Sequence, residues 1–309
     1  MKEKLVVILG PTATGKSHCA IEVAKKFHGE IISGDSMLVY QNMDIGTAKP
    51  TKAELEAAPH HLVNILPPDA AFSVVDFKEQ AVKLIKEINN RGHLPILAGG
   101  TGLYIKALLE DYTFNNAQED NALRQKLELE AKEQGADVLY SRLCQLAPIE
   151  AKRIHPNNTR RVIRALESAL QGESVNQIKA EEMPYDALVI GLNMERQSLY
   201  ERINKRVDKM LADGLEQEVR MLLAQGISTE CQSMQSIGYR QMVWYINGNM
   251  AYETAVDKLK QATRNFAKRQ LTWYKKMPYI KWLELESEPN YIQAVERICE
   301  MLVERDFSV

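Results

Sequence analysis

No run of apolar residues in this chain is long enough to cross a bilayer as a helix. The first, Leu5 to Leu9, stops at a Gly-Pro pair and is far shorter than the core of a secretion signal, so a cytoplasmic protein is expected and no membrane span. Cysteine is scarce. Cys19, Cys144, Cys231 and Cys299 are scattered, with no C-x-x-C pair and no histidines at ligand spacing, which argues against a disulfide framework and against a structural zinc site. An excess of charge is missing too: 39 Lys and Arg against 41 Asp and Glu leave a net charge of -2. Such a chain does not coat nucleic acid through overall charge, and an RNA partner would have to be held by local basic patches. Internal repeats and low-complexity tracts are also absent. What remains is a chain of 309 residues, 45% hydrophobic and 26% charged, the profile of a folded protein with room for one large domain or two small ones.

The residues KLVVIL (4 to 9) form a β-branched apolar run ending in Gly10, and Ser17 to Phe27 then places Ala20, Ile21 and Ala24 at helical spacing. That is a strand, a loop and a helix. Glu30 to Ser33, Leu94 to Ala98 and Ala187 to Leu192 read as further buried parallel strands, and Val74 to Asn89 as a crossover helix. From about residue 116 to 185 the pattern is helical and charged, with amphipathic stretches at Leu123 to Gln134, Asp137 to Leu146 and Thr159 to Leu170. The expectation is therefore an α/β core with a parallel sheet, residues 1–115 and 186–309, interrupted by a mainly helical insertion at 116–185. After the last strand the core is helical, with one apolar stripe at Leu199, Ile203, Val207, Met210 and Leu211 and another from Leu215 to Leu223.

Gly10, Pro11, Thr12, Ala13, Thr14, Gly15, Lys16 and Ser17 match G-x-x-x-x-G-K-[ST] in a strand-loop-helix context, which makes the core P-loop NTPase-like. Glycines let the loop curl so that backbone N–H groups form an anion nest, the helix adds its positive end, Lys16 a cation, and Ser17 a hydroxyl able to ligate Mg²⁺. A di- or triphosphate is specified by this motif, a reaction is not. Asp35, just after the strand Glu30 to Ser33, is the only acid that the sequence puts beside this loop, because the strand at 94 to 98 ends instead in Gly99-Gly100-Thr101-Gly102. A carboxylate at that place can bind metal, act as a general base, or simply cap a turn. Further on, Arg202 and Arg206 lie four residues apart on one helical face, with Arg196 before them, able to grip a diphosphate or to form a solvated basic face.

Two stretches lack acids altogether. Residues 258–283 carry Lys258, Lys260, Arg264, Lys268, Arg269, Lys275, Lys276 and Lys281 among Phe266, Trp273, Tyr274, Tyr279 and Trp282, and residues 151–166 carry Lys152, Arg153, His155, Arg160, Arg161 and Arg164. Cations for phosphates with aromatics for bases is the composition of an RNA groove, although some of those aromatics belong to the core.

Taken together, Asp35-Ser36 with Tyr40, the stretch Met43 to Pro50 (MDIGTAKP), Gly99 to Tyr104 (GGTGLY), Ile154-His155-Pro156-Asn157 and Gly238-Tyr239-Arg240-Gln241 resemble, in order and across nearly the whole chain, the motif series of bacterial tRNA dimethylallyltransferases, also called tRNA isopentenyltransferases. The resemblance implies transfer of a dimethylallyl group from its diphosphate to N6 of the adenosine immediately 3′ of the anticodon, in tRNAs that read codons beginning with U. It implies that the P-loop, although commonly read as an ATP site, holds the prenyl diphosphate with Mg²⁺. Asp35 would accept the N6 proton, Thr101 would contact the diphosphate and help place the acceptor, and Arg206 ahead of Arg202 would grip the leaving group. Contacts to the anticodon stem-loop are expected in four places: Asp35, Ser36, Met37 and Leu38 with Thr101; Arg124, Thr159, Arg160, Arg161, Val162 and Ile163; Gln235, Ser236, Ile237, Gly238, Tyr239 and Arg240; and Lys268, Arg269, Gln270, Trp273 and Lys275. No protein partner is legible. The competing readings are an adenylate isopentenyltransferase acting on free nucleotide, a P-loop small-molecule kinase, and a non-catalytic RNA-binding NTP sensor.

Overall fold

The structure, a computed structural model, describes residues 2–114, 120–172, 180 and 182–307. β1 (Glu3–Leu9) leads into α1 (Lys16–Lys26), β2 (Gly29–Ser33), α2 (Lys52–Ala57), the two-residue β3 (His60–His61), α3 (Val74–Asn90), β4 (Leu94–Gly99) and α4 (Gly102–Leu109). Four helices follow, α5 (Asn121–Gln134), α6 (Ala136–Leu146), α7 (Pro148–Ala151) and α8 (Thr159–Leu170). The chain then returns through β5 (Tyr185–Met194), α9 (Arg196–Ala212), α10 (Leu215–Ala224), α11 (Tyr239–Ile246), α12 (Tyr252–Tyr274), β6 (Lys281–Leu285) and α13 (Tyr291–Val303). The strands form one sheet in the order β3-β2-β4-β1-β5-β6, every neighbour parallel.

β1 lies between β4 and β5, and Leu5 to Leu9 are without solvent exposure. Pleating sends alternate side chains to opposite faces. Leu5, Val7 and Leu9 meet Phe77, Ala81 and Ile85 of α3, while Val6 and Ile8 meet Cys19, Ala20 and Val23 of α1 and Ala294 and Ile298 of α13. Each such aliphatic side chain stabilises the fold by about 1.5–3 kcal/mol, which is why a strand covered on both faces reads as an unbroken apolar run. Helix α3 begins with a capping box, Ser73 accepting from the Asp76 N–H while the Asp76 carboxylate accepts from Ser73.

At the opposite end of the sheet from the P-loop, Glu30 of β2 shares hydrogen bonds with Arg91 (2.8 and 2.9 Å), His61 (2.6 Å) and His93 (2.7 Å). Burial pushes its carboxyl upward, but the hydrogen bonds from His61, Arg91 and His93 outweigh it and hold the pKa down at about 2. This cluster fastens the short edge strand β3. The other edge, β6, is absent from the sequence expectation. It pairs with β5 alone and leaves Lys281 and Trp282 exposed, so its residues read as part of a basic segment rather than as a buried strand.

Two compact units emerge, Met1–Glu110 with Glu182–Val309, and Asp111–Glu181. The boundary expected at 115/116 lies outside the described residues. On the return, Tyr185 already pairs with Glu3 in the sheet, so the first unit resumes ahead of residue 186. The second unit closes on its own small core, in which Leu127, Leu139, Leu143, Val162 and Leu166 are fully buried. None of the described helices is long and apolar enough to cross a membrane.

Candidate active site

A parallel sheet gathers the C-terminal ends of its strands on one edge, and the loops that leave them make the crevice where α/β proteins bind ligands. Here β1 opens into residues Gly10 to Gly15, β2 into Gly34-Asp35, and β4 into Gly100-Thr101. Backbone bonds tie the last two together: Gly34 N–H donates to the Ala98 carbonyl (2.8 Å) and Thr101 N–H to the Gly34 carbonyl (3.2 Å). The Thr101 hydroxyl accepts from Ser36 N–H at 3.1 Å, and Asp35 Oδ1 accepts from Met37 N–H at 2.8 Å. Asp35 therefore shapes its own turn while its side chain stays at the crevice.

The phosphate loop holds the conformation its sequence demands. Ala13 (φ 70°) and Gly15 (φ 86°) are left-handed, and a side chain on Gly15 would run into the Tyr291 ring. Thr14 and Lys16 both donate to the Pro11 carbonyl, at 2.9 and 2.8 Å. Two residues of α12 join this loop to the Gly100 turn. Gln270 accepts from Thr12 N–H (2.9 Å) and donates to the Gly100 carbonyl (2.8 Å), and the buried Tyr274 hydroxyl bonds the Gly100 and Gly10 carbonyls (2.9 and 3.2 Å).

Between these loops, α9 and α12 lies a cavity of about 350 Å³. Thr12, Lys16, Ser17, Asp35 and Thr101 line it together with Arg206, so the expected chemistry-bearing residues of three strand ends and one helix converge. Its ionisable lining is Lys16, Arg206 and Arg269 against Asp35. Burial first, and then the neighbouring Arg206 charge, lower the Lys16 pKa to about 7, with Asp35 opposing. Arg206 is lowered by burial as well, again against the pull of Asp35. Two desolvated cations beside one another are poised for a polyanion. Arg202, one turn earlier, is not among the lining residues. Its Nε donates to the Ala13 carbonyl (3.1 Å) and its guanidinium to the Tyr291 hydroxyl (2.6 Å), bracing the loop from outside.

Comparison with known proteins gives this arrangement a lineage. The sequence model of the IPP transferase family matches residues 38–277. The chain belongs to the IPP transferase family. It is 49% identical over 290 residues to a tRNA dimethylallyltransferase of Pelotomaculum thermopropionicum, covering 93% of this chain and 92% of that one. Among solved structures it is similar to the full-length tRNA isopentenylpyrophosphate transferase of Bacillus halodurans (44% identity, TM-score 0.74, 99% and 98% of the two chains). It is also similar to a eukaryotic dimethylallyltransferase acting on tRNA (28% identity, TM-score 0.76, 99% and 79%).

Within this IPP transferase, Ser36, Met37, Leu38, Gln235, Ser236, Ile237, Gly238 and Arg269 also line the cavity. Other residues expected at the tRNA are placed differently. Tyr239 is fully buried and donates to Glu218, so its side chain belongs to the core. Gln270 is 4% exposed and serves the loops. Trp273 packs against Gly102, and the Arg240 guanidinium lies over Trp244 at 5.6 Å. In the second unit Val162 and Ile163 are core residues, because α8 turns them inward and leaves Arg160, Arg161 and Arg164 exposed, with Thr159 half-buried in its first turn. Arg124 is paired with the buried Glu167 at 2.9 Å. Lys268 and Lys275 are exposed. Sequence reasoning missed Tyr274 and Tyr291 as supports of the phosphate loop. Neither carries a spacing signal, since each meets the loop only through packing.

Proposed function

We propose that this IPP transferase moves a dimethylallyl group from dimethylallyl diphosphate to N6 of the adenosine immediately 3′ of the anticodon, in tRNAs reading codons that begin with U, and that it acts in the cytoplasm. The observation that carries the reading is one cavity in which a phosphate loop, Lys16 and Arg206 face Asp35 and Thr101. In the reaction the C1–O bond of the donor breaks and its electron pair leaves with the diphosphate, while the N6 lone pair forms the new N–C1 bond. The N6 proton passes to Asp35. Lys16 and Arg206 take up the charge that grows on the leaving group, and backbone N–H groups of the loop add fixed dipoles. Thr101 orients both partners through its hydroxyl.

We propose that Mg²⁺ accompanies the donor, with the Ser17 hydroxyl, which lines the cavity beside Lys16, as its protein ligand. Such an ion takes few protein ligands and completes its shell with phosphate oxygens and water. Bound there, Mg²⁺ would neutralise diphosphate charge.

Incubation with radiolabelled dimethylallyl diphosphate, unmodified tRNA and AMP tests the assignment. Label is expected in tRNA alone. Label in AMP would make the protein an adenylate isopentenyltransferase, and label in neither would end the prenyltransferase reading.

A further inference from the structure

Glu218, on α10, is 7% exposed and far from the phosphate loop in sequence. Its carboxylate accepts hydrogen bonds from three successive backbone N–H groups, Asp44 (2.8 Å), Ile45 (2.8 Å) and Gly46 (3.1 Å), and from the buried Tyr239 hydroxyl at the start of α11. Consecutive amides curled around an anion form the kind of nest that elsewhere takes a substrate phosphate. Here a side chain of the protein fills it. Gly46 lies against the Tyr239 ring so closely that any side chain at 46 would collide with it. The node thus joins three pieces of chain, and two of them reach the cavity: Gly46, Thr47 and Ala48 on one side, and Gln235 to Gly238, just before Tyr239, on the other.

These lining groups are uncharged, whereas the phosphate-loop side presents Lys16 and Arg206. An anionic diphosphate goes to the cations, which leaves the neutral wall for adenine. We propose that Glu218 is a positioning residue for the acceptor: by locking the 44–48 loop to the 235–238 turn, it sets the wall that holds the adenine against Asp35. The inference rests on the transferase reading above.

Steady-state transfer by Glu218→Gln and Tyr239→Phe, with separate equilibrium binding of dimethylallyl diphosphate, tests it. In Glu218→Gln an amide NH₂ replaces one acceptor oxygen, so at least one N–H of the nest loses its partner, and the KM for tRNA should rise by about tenfold. Donor affinity should stay within about twofold of wild type, since the phosphate loop is untouched. Tyr239→Phe keeps all three amide bonds and should shift the tRNA KM in the same direction by less, about two- to fivefold. It also carries the test where Glu218→Gln does not accumulate as folded protein. An unchanged tRNA KM in both variants overturns the proposal, and so does a parallel loss of donor and tRNA binding that tracks a lower melting temperature. Wild-type protein that modifies no tRNA overturns the transferase reading instead, and is recognised before any variant is compared.

Discussion

Asp35 keeps its turn through Oδ1 and the Met37 N–H while its side chain lines the cavity. Asp35→Asn retains that acceptor oxygen and removes the basicity of the group together with the negative charge that faces Lys16 and Arg206. The expected outcome is near-normal binding of donor and tRNA with single-turnover transfer slowed by roughly two to four orders of magnitude, the span of general-base catalysis. Recovery of near wild-type turnover at high Mg²⁺ would make Asp35 a metal ligand. Lys16 supplies a pH signature. Burial and Arg206 lower its pKa to about 7, so above that pH it is largely neutral until a polyanion arrives. Donor binding at pH 8 should therefore take up about one proton, and donor affinity should fall as pH rises above about 7. Calorimetry in two buffers of different ionisation enthalpy counts that proton. Lys16→Arg should abolish the uptake, and equal uptake in that variant would refute the assignment.

Helix α9 carries Arg202 and Arg206 on nearly the same face, four residues turning about 40° past one full rotation. Spacing alone makes the two equivalent. Packing separates them, with Arg206 at the cavity and Arg202 on the Ala13 carbonyl, held there by Tyr291 from α13. Helix α13 thereby braces the phosphate loop without lining the cavity, through the Arg202 that bonds the carbonyl of the left-handed Ala13. Tyr291→Phe removes one hydrogen bond to a charged partner and should weaken dimethylallyl diphosphate binding by about tenfold while tRNA affinity is kept. Equal weakening of both, in equilibrium binding, would show that the brace supports the fold at large and not the loop.

Across the whole molecule, exposed cations occur in both units, Arg160 and Arg161 on α8 and Lys268 and Lys275 on or beside α12. If both units grip tRNA phosphates, affinity falls steeply with salt, and Arg160→Ala with Lys268→Ala should flatten the log-log slope by roughly 1.4 to 1.8, the contribution of two phosphate contacts. An unchanged slope in filter binding at several salt concentrations would remove these residues from the interface. Much of this organisation is legible in the sequence. The buried strands at 4 to 9, 30 to 33, 94 to 98 and 187 to 192, the helix from Thr159 to Leu170 and the phosphate loop are all found where the pattern puts them, because periodicity and loop chemistry act within about ten residues. Asp35 and Thr101 were legible for the same reason, as the residues that follow two of those strands. Contacts between distant segments had no such signal. Gln270 linking Thr12 to Gly100, Tyr291 against Gly15, Glu218 under Asp44 to Gly46 and the edge strand β6 join residues far apart in the chain. The sequence by itself determined the strands, the phosphate loop and the residues at the strand ends. Only the tertiary structure decided which face of each helix turned to the cavity, because that rotation is set by packing against the rest of the core.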